Sequence, residues 1–164
     1  MPRIYLKSTN RKVSIIATFL TVQFGIIMFL IPSALINLIP QSALGKYFID
    51  HIYFTYVILP IILYISVTGF YYYSIKIDAY IMHITSFRTI SGLLKNKNYI
   101  ELPHDMLIEY SFFNRSLSMN KTLMIKMKDV NGKRIIKRFK LSFLSKREEQ
   151  KISKVLDQII AKNR

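Results

Sequence analysis

No charged residue lies between Lys12 and Lys46, and none lies between His51 and Lys76. A soluble helix of such length normally carries a polar face opposite its apolar stripe. The first stretch, VSIIATFLTVQFGIIMFLI, is apolar without a break up to Pro32. It matches the roughly 20 residues that carry a helix across a bilayer core. The second, IYFTYVILPIILYISVTGFYYYSI, has the same character. The sequence predicts two transmembrane helices, about Ser14–Ile36 and Ile52–Tyr73. They form a hairpin over residues 13–76, with an external loop over 37–51. A cleaved signal sequence fits the basic start, but its apolar core is shorter and no A-x-A site follows here. Pro32 and Pro60 each remove a helix hydrogen bond and predict tolerated kinks. Neither stretch holds an Asp, Glu, Lys or Arg, the usual mark of an ion path, which argues against a transporter.

Charge sets the direction. The formal net charge is +15, an excess that favours anionic partners. Arg3, Lys7, Arg11 and Lys12 precede the first stretch without an acid, Lys46 balances Asp50 in the connection, and the chain after Lys76 is basic again. Lys and Arg gather on the cytoplasmic side. Residues 1–12 are therefore expected as a basic cytoplasmic N-terminus and 77–164 as a cytoplasmic domain. Tyr47, Phe48, Tyr53 and Phe54 then form the outer aromatic belt, and Tyr71, Tyr72 and Tyr73 the inner one, since a tyrosine ring sits well at headgroup level. High Ile, Lys and Asn usage points to an AT-rich bacterial genome. The expected location is the bacterial cytoplasmic (inner) membrane, multi-pass, with both termini cytoplasmic.

From Asp78 the pattern turns to short alternating segments. AYIMHITSFRTIS reads as a strand ending at Gly92, LLKNKN as a polar turn, YIELP as a strand stopped by Pro103, and MLIEYSFF as a third strand. NRSLSMN is a loop or a short further strand. KTLMIKMKD and KRIIKRFKL are strands joined by VNG. A three-residue loop with Gly132 in the left-handed region sets Met127 opposite Ile135 and Leu123 opposite Phe139. One face then collects Leu123, Ile125, Met127, Ile135, Phe139 and Leu141, with Lys137 as the exception. The other collects Lys126, Lys128, Arg134, Arg138 and Lys140, with Met124 and Ile136. A slip of one residue would bury charge. The chain closes with SKREEQKISKVLDQIIAK, where Ser145 and Glu148 form a capping box. Ile152, Val155, Leu156, Ile159 and Ile160 make one apolar stripe.

A membrane hairpin, a run of antiparallel strands and one amphipathic helix resemble the bacterial pleckstrin-homology-like (PH-like) membrane proteins. The resemblance is carried by YIMHITSFRTISG, IELPHDMLIEY, LMIKMKDVNGKRIIKRFKL and EEQKISKVLDQII, and covers roughly residues 12–162. It implies an α+β domain, a small and strongly bent antiparallel sheet closed by the C-terminal helix. It also implies binding or assembly at the membrane rather than catalysis.

The chemistry-bearing residues are sparse. The absence of cysteine excludes disulfides, thiolate metal sites and a Cys nucleophile. His51, His83 and His104 show no metal-ligand spacing, and no Gly-rich phosphate loop or G-x-S-x-G occurs. His104-Asp105 reads as a solvated turn. No enzyme activity, cofactor, metal or small-molecule substrate is expected. Nucleic acid is not expected either, since aromatic rings are not interleaved with the basic face. The expected partners are membrane lipids and a protein partner or a second copy of the chain. Lys126, Lys128, Arg134, Arg138 and Lys140 form the lipid- or partner-binding face. The function expected is a non-catalytic assembly or adaptor module, a subunit of a larger membrane complex. The alternative is a membrane-bound immunity or inhibitor protein directed against a toxin.

Overall fold

The computed structural model describes residues 5–89, 98–114, 120–129 and 132–163. The chain divides into two compact units. One is Ile16–Gly69; the other joins Met1–Ile15 to Phe70–Arg164. The expected turn at 93–97, the loop at 115–119, the loop residues Val130 and Asn131, and the side chain of Phe54 lie outside the described residues.

The Ile16–Gly69 unit is helical. Helix α1 (Arg11–Gly25) starts in the other unit and runs through a π-turn (Ile26–Leu30) into α2 (Ile31–Leu38). Pro32 lies in the first turn of α2 and has no N–H to offer the carbonyl one turn back. The helix widens just before it, where the Ile31 N–H bonds the Ile26 carbonyl five residues away. Helix α3 (Ala43–Asp50) is capped by the Ser42 hydroxyl, which accepts the Gly45 N–H at 2.9 Å. A Cβ on Gly45 would stand 2.5 Å from the Ile39 carbonyl oxygen, so the turn needs glycine there. Helix α4 (Tyr53–Thr68) contains Pro60.

Of the expected pair of spans, one is matched by length and composition. Among the described residues, only Arg11–Leu38, 28 residues long, is long and apolar enough to cross a membrane, and 6% of its most apolar window is buried. Helix α4 has 16 residues, a rise of about 24 Å, against a hydrocarbon core of about 30 Å. It stops at Gly69, which takes a φ of +63°, and the tyrosine cluster beyond it is a strand.

That strand belongs to the second unit. β1 (Leu6–Thr9), β2 (Tyr71–Ile77), β3 (Ile81–Arg88) and β4 (Asn98–Pro103) form an antiparallel sheet in that order. β5 (Leu107–Asn114), β6 (Asn120–Lys128) and β7 (Arg134–Ser142) form a second. The boundaries expected for the domain therefore move. Within the expected N-terminal stretch, Leu6–Thr9 pairs with Ser74–Ile77. The domain starts ahead of residue 77, because β2 is its second strand. Two sheets that are not closed on each other replace the one bent, closed sheet. In β2, Tyr73, Ile75 and Ile77 alternate into the core while Tyr72, Ser74 and Lys76 face outward. They meet Met82, Ile84, Ile100, Leu102 and the inner face of β5–β7. Helix α5 (Lys146–Asn163) adds Ile152, Leu156 and Ile159 to the same core. Each such side chain contributes roughly 1.5–3 kcal/mol by leaving water.

The expected capping box forms. The Ser145 hydroxyl accepts the Glu148 N–H at 3.2 Å, and the Glu148 carboxylate accepts the Ser145 N–H at 3.5 Å. The β6–β7 register is the expected one, Met127 opposite Ile135 and Leu123 opposite Phe139. Gly132 takes a φ of +74°, and the Asp129 N–H bonds the Lys133 carbonyl at 2.8 Å.

Candidate functional site

The β6–β7 hairpin sorts its side chains as its period of two requires. Leu123, Ile125, Met127, Phe139 and Leu141 are buried. On the outer face Thr122 stands opposite Lys140, Met124 opposite Arg138, Lys126 opposite Ile136, and Lys128 opposite Arg134. The five expected basic residues therefore share one face with Ile136, which is 52% exposed. Lys126 Nζ lies 3.4 Å from a Glu109 carboxylate oxygen on β5. Lys140 Nζ lies 3.3 Å from the Tyr71 hydroxyl and 5.0 Å from the centre of its ring. Lys128 and Arg134 face each other as like charges, an arrangement that costs a sheet stability. Lys137, on the inner register, is exposed, and its Nζ donates to the Tyr99 carbonyl at 3.4 Å. From Lys140 to Arg134 the row spans about 20 Å of strand.

The five expected interface tyrosines divide between the units. Tyr47 on α3 and Tyr53 at the start of α4 are exposed, and His51 stacks on Tyr47 at 4.3 Å between centroids. Tyr71 and Tyr72 are half-buried on β2. Tyr73 is 0% exposed, which corrects its expected place in a headgroup belt. Its hydroxyl donates to Glu148 at 3.5 Å. Burial, before the nearby Glu148 charge, pushes its phenol up to about 12.

A second feature was not expected from the sequence. Asn10 joins the end of β1 to the start of α1, and its carbonyl accepts the Ser14 N–H at 2.9 Å. Its side chain, buried, donates to the Tyr71 carbonyl at 2.8 Å and the Ser142 carbonyl at 2.9 Å, and accepts the Tyr73 N–H at 2.8 Å. The Ser142 hydroxyl in turn accepts the Tyr71 N–H at 2.7 Å and donates to Asn120. Four strands are thus clasped at the point where the chain leaves for residue 16 and returns at residue 70. An Asn directly before an apolar helical run is a helix-start signal. Only the fold reveals that its amide is spent on the sheets.

No family model, curated protein or solved structure matches this chain. The remaining polar clusters must be weighed on their own geometry. Among the described residues, no group of three His, Asp or Glu side chains is placed to hold a metal ion. On the outer face of the first sheet the Tyr99 hydroxyl donates to Glu101 at 2.8 Å, with His83 Nδ1 3.3 Å from that hydroxyl. The Glu101 carboxylate holds the Tyr99 phenol above its ordinary range. His104 and Asp105 sit on a 3₁₀ turn (His104–Met106), with His104 half-buried and Asp105 exposed. Burial first, then the Lys162 charge, lowers its imidazole below the usual histidine range. An open groove of about 930 Å³ runs between β5 and α5, lined in part by Phe112, Phe113, Lys121, Glu149, Ser153 and Asp157. Its charges are largely matched within the protein: Lys121 pairs with Glu149, and the Tyr110 hydroxyl donates to Asp157 at 2.8 Å.

Proposed function

We propose that this chain is a non-catalytic integral membrane protein. Its apolar segment crosses the bilayer and returns, and its basic two-sheet domain stands at the cytoplasmic face as an assembly or adaptor module. The supporting observation is that both ends of the Ile16–Gly69 segment emerge from one folded unit. β1 and β2 hydrogen-bond to each other on either side of that segment. Two strands cannot pair across a bilayer, so a crossing by Arg11–Leu38 requires a return before Phe70. Cleavage after the apolar run would also remove β1 and Asn10 from the sheets. The apolar surface left unburied on the long helix favours lipid over a protein core as its solvent. The short α4 makes the return with local bilayer thinning, which costs fractions of a kcal/mol per Å. The positive charge lies almost wholly outside the segment, which favours a cytoplasmic domain. The PH-like resemblance agrees with a binding role.

The exposed row on β6–β7 is the adaptor surface, directed at an acidic face of a partner protein. Lys128, Arg134, Arg138 and Lys140 are its exposed cations, and Ile136 between the two arginines adds apolar contact.

The chain has no cysteine, so single-cysteine labelling tests the topology directly. In sealed vesicles, Ser42→Cys and Ser145→Cys should react with an impermeant maleimide from opposite sides. Labelling of both from the same side defeats the crossing-and-return reading.

A further inference from the structure

The folded unit has two dissimilar ends. At one end lie Asn10 and Arg11, where the chain departs, and Phe70 and Tyr71, where it comes back. The register brings Arg88 opposite Tyr71 and Ser142 opposite Asn120 at that same end. The Thr89 N–H bonds the Phe70 carbonyl at 2.9 Å there, and Lys140 lies over the Tyr71 ring. Arg11, Lys12 and Lys140 are exposed. The nearby acids are engaged: the Glu148 carboxylate accepts the Ser145 N–H and the Tyr73 hydroxyl, and Glu149 pairs with Lys121. At the other end, about 20 Å along the strands, lie Asp78, Asp105, Asp129 and the exposed Tyr80. Both ends carry cations, Lys76, Lys128, Lys133 and Arg134 standing beside the turn aspartates at the second; what sets the first end apart is that the apolar segment leaves and returns there among aromatic rings.

Phe143 singles out the first end. It follows β7 directly, and its ring lies 5.2 Å from that of Phe70 between centroids. It takes a φ of +58°, the one positive φ outside glycine among the described residues. Its large apolar side chain is still 40% exposed. A bulky residue in the left-handed region is an outlier. Here the unusual backbone leaves an aromatic ring half in solvent beside the exit of an apolar segment.

We propose that this end of the domain is a seat on anionic lipid headgroups. Phe143 enters the interface, and Arg11, Lys12 and Lys140 contact lipid phosphates. The seat rests on the membrane reading above and adds an orientation to it. The clasped end meets the leaflet and the aspartate-bearing end points away. Of the β6–β7 row only Lys140 belongs to the seat, which leaves Arg134 and its neighbours to a protein partner.

The chain contains no tryptophan, so one introduced indole reports on one place. The full chain carrying Phe143→Trp, and separately Tyr80→Trp, is reconstituted into vesicles of mixed zwitterionic and anionic phospholipid. A matched set carries bromine on the acyl chains near the headgroups. Phe143→Trp should show a blue-shifted emission that brominated lipid quenches about twofold, as befits an interfacial indole, while Tyr80→Trp stays unquenched. Phe113→Trp, at an exposed position near the same end, is the second probe should Phe143→Trp disturb the fold. Omitting the anionic lipid should weaken the quench at Phe143, and an unchanged quench overturns the role given to the cations. Equal quenching at residues 143 and 80 overturns the seat. So does quenching at neither 143 nor 113 while the protein sediments with the vesicles, and the membrane reading then stands. A chain that does not sediment with vesicles overturns both.

Discussion

Replacing Asn10 by alanine tests whether the two ends of the apolar segment are held by one polar clasp. The side chain is 6% exposed and makes three hydrogen bonds, at 2.8, 2.9 and 2.8 Å. At about 1 kcal/mol net per bond, the loss should be about 3 kcal/mol. That is a large share of the 5–15 kcal/mol typical of a domain. It corresponds to a fall of about 12 °C or more in the melting temperature of a unit this size. The measurement is thermal unfolding of the full chain in micelles, followed by near-ultraviolet tyrosine dichroism, because the tyrosines of the sheets lose their fixed environment on melting while micellar helices do not. Hydrogen exchange should locate the damage at the Tyr73 amide and in β1. Asn10→Asp is the sharper variant. It keeps the acceptor for the Tyr73 N–H but turns a carboxylate oxygen toward two carbonyls, so it should be less stable than Asn10→Ala. An alanine variant within about 1 kcal/mol of the parent, or an aspartate variant as stable as the parent, refutes the clasp.

Two further outcomes follow from backbone and burial. Gly132 sits at φ +74° with nothing within 4 Å of an added Cβ. Gly132→Ala should therefore cost only the left-handed penalty, about 1 kcal/mol, and Gly132→Asn less, read from the midpoint of urea unfolding. The Tyr73 phenol is raised to about 12 in the folded protein from its ordinary value of 10.0. Its folded form holds the proton after the unfolded chain has lost it, so its contribution is intact below pH 10 and is lost as pH rises towards 12. Phenolate absorbance should show Tyr73 titrating last as the fold weakens over that window, and Tyr73→Phe should flatten that loss.

Local patterns were readable where their physical cause was local. The β6–β7 register follows from alternation and one glycine, and the α5 start from Ser145 and Glu148. The tyrosine cluster was misread because its apolar side chains continue the run before it. YYYSIKI does carry period two, with Tyr73, Ile75 and Ile77 on one side, and Gly69 marks the break. Aromatic content at the end of an apolar run fits a bilayer interface equally well. β1 was invisible for a different reason. Four residues of LKST have no signature of their own, and only the pairing with β2 makes them a strand. The same holds for the clasp, since hydrogen bonds from Asn10 to Tyr71 and Ser142 cannot be inferred from spacing. Burial of Tyr73 could not be foreseen until β2 was placed inside the sheet.

A domain interrupted by its own apolar segment also constrains the order of assembly. Thr9 and Tyr73 hydrogen-bond at 3.0 Å although 64 positions separate them. β1 is made first, yet a four-residue strand has no stability alone. If the segment is membrane-inserted, β1 can pair only after the chain has gone in and come back on the same side. Loop-closure entropy grows slowly with length, so the length of the detour is a minor obstacle; its topology is the decisive one. A chain that fails to return leaves the Tyr73 N–H and the Asn10 amide without each other and the β2 edge uncovered. On that reading, completion of the clasp coincides with correct insertion, and an unpaired β1 would be the physical mark of a misinserted chain.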